Sequence, residues 1–142
     1  MSNKSLNKGK AGEREFCMTL SSLTGLQLER NLEQTRSGGH DISLASGNSH
    51  NEVTRQINKF AIEVKRYARA QPGDISRWWK QAVQQADRVN RLPMLAYRLD
   101  RERWQCMVHI GRCRTEDMTG CIRMDISLFA ELLKNGHTIF DE

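Results

Sequence analysis

The chain has 142 residues, enough for one domain with a core of its own and too few for a second of ordinary size. Lys and Arg number 22 against 17 Asp and Glu, a net charge of +5 that suits an anionic partner such as nucleic acid. Four cysteines are too sparse for a disulfide scaffold, and the basic start MSNKSLNKGKAGERE has no apolar run behind it, which argues against a secretory signal or membrane span and predicts a cytoplasmic protein.

Residues 1–9 are polar and basic and predict a flexible tail able to lie along a phosphate backbone, leaving residues 10–142 as a single domain. Phe16, Cys17, Leu20 and Leu23 recur at helical spacing and predict a helix over residues 11–23 whose apolar stripe packs on a sheet. Glu13 stands three and four residues before Phe16 and Cys17, so its carboxylate lies at the edge of that stripe. LQLERN predicts a first strand. RSGGHDISL predicts a second, with Ile42 and Leu44 toward the core and Asp41 away from it. Residues 45–58 are polar and turn-rich and predict a mobile loop.

KFAIEVKRY, residues 59–67, is the clearest strand signal in the chain. Alternation puts Phe60, Ile62 and Val64 on one face and Ala61, Glu63 and Lys65 on the other. Asp74 is placed to cap a helix running to Asn90, with Ile75, Trp79, Ala82, Ala86 and Val89 as its buried stripe and Pro93 as its stop. MLAYRL and WQCMVHI predict two more strands, and SLFAELLKNG a last helix with Gly136 beyond its end. The spacing of Cys106, His109, Cys113 and Cys121 matches no common zinc module, and Cys106 falls on the apolar face of its strand as a buried thiol.

If the strands carrying Asp41 and Glu63 are neighbours, Asp41, Glu63 and Lys65 converge, with Glu13 able to reach them from the helix packed on the sheet. Three clustered carboxylates stay ionised most readily around a hard divalent cation, and a lysine beside them can orient water and balance phosphate charge. The competing reading of Glu63 and Lys65 is an ion pair on a solvated sheet face.

GERE at 12–15, RSGGHDI at 36–42 and FAIEVKR at 60–66 resemble the motifs of the PD-(D/E)XK nuclease superfamily, and the compact layout is similar to archaeal-type Holliday junction resolvases and their phage relatives. His40 stands where the eponymous proline would be. The resemblance implies a restriction-endonuclease-like α/β (α+β) core, a central mixed five-stranded sheet flanked by helices. It implies Glu13, Asp41, Glu63 and Lys65 as catalytic residues, with Glu13, Asp41, Glu63 and the carbonyl of Val64 as ligands of Mg2+, for which Mn2+ can substitute. Candidate DNA contacts are Lys8, Lys10, Arg14, Arg30, Arg36, Ser37, Arg66 and Gln81.

The expected activity is magnesium-dependent endonucleolytic hydrolysis of branched DNA, a four-way junction above all, in a bacterial cell or phage-infected host. One site per chain and two strands to cut imply a homodimer. Two alternatives stay open: a restriction-like or repair nuclease acting on linear or mismatched duplex, and a non-catalytic basic DNA-binding module.

Overall fold

The computed structural model describes residues 3–30, 41–45, 47 and 51–135, with side chains from Gly9 onward. In chain order the elements are α1 (Asn3–Thr24), β1 (Leu28–Arg30), β2 (Ile42–Leu44), α2 (Glu52–Ile57), β3 (Phe60–Tyr67), α3 (Pro72–Val89), β4 (Leu92–Leu99), β5 (Gln105–His109), β6 (Cys121–Asp125) and α4 (Ile126–Asn135). The main sheet runs β3-β4-β5-β6, with β3 and β4 parallel around the α3 crossover and the remaining neighbours antiparallel. β1 and β2 form a separate antiparallel ribbon, and the Asp41 amide at its end donates to the Ile62 carbonyl at 3.0 Å, tying the ribbon to the free edge of β3.

Both faces of the main sheet are covered, which explains the nearly continuous burial of β3 and β4. On one face Phe60, Ile62, Val64, Met94, Ala96, Cys106 and Val108 meet Phe16 and Leu20 of α1 and Phe129 and Leu133 of α4. On the other, Leu95, Tyr97 and Met107 pack under Trp78, Trp79, Ala82 and Val83 of α3. Strand alternation therefore points Glu63 and Lys65 to the α3 side, at the rim of the second cluster.

The mixed α/β architecture with flanking helices is as the sequence predicts, and the details differ where local chemistry decides. Among the described residues six strands are formed rather than five, four in the main sheet and two in the ribbon. The extra one, β6, has a weak alternation, CIRMD, and is defined by its pairing with β5. α1 begins at Asn3, so the expected tail over residues 1–9 is helical from that point. The expected loop over 45–58 contains α2, because Asn51 Oδ1 accepts from Thr54 N at 3.0 Å as an N-cap and Ile57 drops into the core.

α3 starts at Pro72, where a fixed φ suits the first helical position, and Asp74 sits inside it, accepting the Gln71 amide at 2.9 Å rather than serving as the cap residue. Its end is made by Asn90 in the left-handed conformation (φ 55°), with Arg91 N donating to Ala86 O. Pro93 instead lies in β4, tolerated because pairing with β5 starts one residue later, at Met94. Trp79 is fully buried, as its stripe predicts. Trp78 is also in the core, stacked on Tyr67 at 4.8 Å. Gly136 lies outside the described residues. Among the described residues no helix is long and apolar enough to cross a membrane.

Candidate active site

The centre of the site is a bracket around Glu63. Asp41 gives its own amide to the carbonyl of Ile62, and its Oδ2 accepts the amide of Val64 at 2.8 Å. One aspartate thus bonds the backbone on either side of Glu63. Both acids are buried, Asp41 3% and Glu63 7% exposed, and the Asp41 carboxyl is within hydrogen-bonding reach of Glu63. Lys65 Nζ stands 3.5 Å from Glu63 Oε1. Among the described residues Glu63 Oε2 is buried with no hydrogen-bond partner.

Burial drives the Glu63 carboxyl above the ordinary carboxylate range; the Lys65 ammonium and hydrogen-bonding contacts with Lys65 and Asp41 oppose the rise, and nearby Glu13 adds to it. A buried carboxylate oxygen without a partner costs on the order of 1–3 kcal/mol or more. Two carboxylates, one of them with an orphaned oxygen, and a neighbouring backbone carbonyl, that of Val64, are donors that fit a hard divalent cation. This arrangement disfavours the solvated ion pair, since the pair is neither solvated nor complete.

Glu13 comes from α1, which is fixed to the sheet on both sides of it. At Gly12 the helix presses on β3 so closely that a Cβ there would lie 2.6 Å from Arg66 Cβ. Two residues beyond Glu13 on the other side, Glu15 pairs with Arg98 and accepts the Trp104 indole N–H at 3.0 Å, while Phe16 packs on the same indole. The Glu13 carboxylate accepts from Arg30 Nε at 2.6 Å. Among the described residues no three or more His, Cys, Asp or Glu side chains are grouped as metal ligands. The acids that meet are Asp41 and Glu63, and Glu13 is joined to Arg30 beside them.

The candidate DNA contacts separate into three groups. Lys10 and Arg14 are exposed on α1, four residues apart on one face, and Gln81 is exposed on α3. Arg30 and Arg66 are engaged, the first by Glu13 and the second by Asp100 at 2.7 Å and the carbonyl of Tyr67. The side chain of Lys8, together with Arg36 and Ser37, lies outside the described residues. Gly12 and Glu15 are the supporting residues that motif reading overlooks. For Gly12 a signal existed, since a glycine inside a helix forfeits about 1 kcal/mol against alanine and usually has a packing reason. For Glu15 none did, because its partners are 83 and 89 residues away.

Comparison with known proteins supplies the family. The model described as "Phage putative PDDEXK endonuclease" matches residues 4–132. Protein D14 of Escherichia phage T5 is 28% identical over 118 residues, covering 73% of this chain and 70% of that protein. Hjc, a Holliday junction resolvase of Archaeoglobus fulgidus, superposes with a TM-score of 0.47 at 18% identity, over 85% of this chain and 97% of the other.

Proposed function

The chain belongs to the phage PDDEXK endonuclease family, and from that premise we propose that it is a magnesium-dependent endonuclease that hydrolyses branched DNA, four-way junctions above all. The observation that carries the nuclease reading is the bracket in which Asp41 and Glu63 are buried together with Lys65 alongside.

Asp41, Glu63, the Val64 carbonyl and Glu13 would hold the ion, Mg2+ with Mn2+ as a substitute; when bound it lowers the pKa of water and offsets charge on the phosphate. Lys65 orients the attacking water and balances the charge that develops on the phosphate oxygens. In-line attack leaves a 5′ phosphate and a 3′ hydroxyl. Lys10 and Arg14, exposed on the helix that carries Glu13, hold the phosphate backbone and fix register without reading sequence. Lys8, Arg30, Arg36, Ser37, Arg66 and Gln81 complete the proposed DNA-contacting set, with Arg66 shared between DNA and Asp100 and Arg30 between DNA and Glu13. The protein works in the cytoplasm of a bacterial or phage-infected cell.

The junction preference rests on the likeness of the motif order and compact layout to junction resolvases, and a single site per chain then requires a homodimer to nick two strands. Cleavage of a four-way junction is compared with that of a linear duplex of the same arm sequence, in Mg2+. The expected result is at least about tenfold faster cutting of the junction, equivalent to about 1.4 kcal/mol of discrimination. Equal rates would reject junction selectivity in favour of a nuclease acting on linear or mismatched duplex. Absence of any Mg2+-stimulated cutting would favour a binding module.

A further inference from the structure

Two carboxylates meet at the site and a third, that of Glu13, stands beside them; two cationic side chains serve the three, and the division is uneven. Lys65 stands at 3.5 Å from Glu63, already close to Asp41, whereas Arg30 is bonded to Glu13 alone at 2.6 Å. The Glu13 and Arg30 side chains are 12% and 23% exposed, so the pair is well shielded from water and its geometry is that of a charge-assisted hydrogen bond. Among the described residues Arg30 makes no other side-chain hydrogen bond, which leaves the donors of its planar guanidinium available. Glu13 is near enough for its charge to be felt at Glu63. A guanidinium held on one acid of a metal site occupies, electrostatically, the role the divalent ion would take.

We infer that Arg30 is a place-holding residue: it neutralises Glu13 in the ion-free protein, yields the carboxylate as the divalent ion enters, and then turns its freed donors to the DNA phosphate. This rests on the metal-dependent nuclease reading above. Ion loading and phosphate binding are thereby coupled through one side chain, with no displacement of the backbone. The contrary view is that the pair is a strut between β1 and α1. The two views differ in sign, because a place-holder competes with the ion and a strut assists it.

The test is calorimetric titration of Ca2+ into the full-length protein without DNA. Arg30→Gln is expected to bind Ca2+ about tenfold more tightly than wild type, the size of effect that one adjacent opposite charge has on a carboxylate. Arg30→Lys stays close to wild type, and Glu13→Gln combined with Arg30→Gln loses the gain. Should Arg30→Gln not fold, NMR of the wild-type Arg30 Nε–H resonance replaces it: the signal is expected to shift with the same apparent constant as ion binding. Equal or weaker Ca2+ binding by Arg30→Gln, or an Arg30 resonance that Ca2+ leaves unmoved, overturns the inference. Failure of the underlying nuclease reading is recognised separately, by Glu63→Gln binding Ca2+ as well as wild type does.

Discussion

Lys65→Ala and Glu63→Ala each lower the rate of Mg2+-dependent DNA cleavage by at least about 10³-fold, the loss expected on removing, in a shielded site, the ammonium aimed at the reacting phosphate or a carboxylate that would hold the ion. DNA binding measured in Ca2+ stays within about threefold of wild type, because neither residue belongs to the exposed basic set that holds the backbone. The measurement is a single-turnover cleavage assay beside an equilibrium binding assay. Loss of binding in step with cleavage would mean that Glu63 and Lys65 are structural, and retained cleavage would move the chemistry elsewhere. Glu63 is the more demanding of the two tests. Removing it relieves a buried, partly unpaired carboxylate but leaves Lys65 without its partner, so the two effects oppose and the Ala variant is expected to stay folded while inactive.

Gly12→Ala costs activity by a different route, about 100-fold, through displacement of Glu13 rather than loss of any reacting group. The added Cβ would meet Arg66 Cβ at 2.6 Å, and that carbon is fixed by the β3 backbone and cannot swing aside as a long side chain would. The helix must move, at a cost of about 1–3 kcal/mol for overpacking, offset by about 1 kcal/mol of helix propensity gained on replacing glycine. Stability therefore changes little while cleavage falls. Gly9→Ala is the control, since nothing lies within 4 Å of a Cβ there: it gains the propensity and keeps full activity. Thermal unfolding and cleavage rates of both variants check this; a fully active Gly12→Ala would show that the close approach does not set the position of Glu13.

The parts of the site legible in the sequence are those carried by local pattern. Alternation in FAIEVKR fixes β3 and puts Glu63 and Lys65 on one face, and the helical stripe of Phe16, Cys17 and Leu20 fixes the side of α1 on which Glu13 stands. The proximity of Asp41 to Glu63 is expected from adjacent strands, but arises differently: Asp41, just before a separate ribbon, bonds the backbone around residue 63. What stayed hidden depends on partners distant in sequence. β6 exists because β5 pairs with it, α2 because the Asn51 side chain caps a polar segment, and Trp78 is core because Tyr67 lies beneath it. Arg30 is a DNA candidate from its charge and its place beside the loop before Asp41; its bond to Glu13 depends on β1 lying beside α1.

The central claim is that Asp41 and Glu63 form the cradle of a divalent ion. Crystals soaked in Mn2+ and measured at its absorption edge test it most directly. An anomalous peak between the two carboxylates, at about 2.0–2.6 Å from an oxygen of each, with the Val64 carbonyl in reach, is the predicted result. A peak-free map at high Mn2+ occupancy elsewhere, or carboxylates turned apart toward solvent, would contradict it.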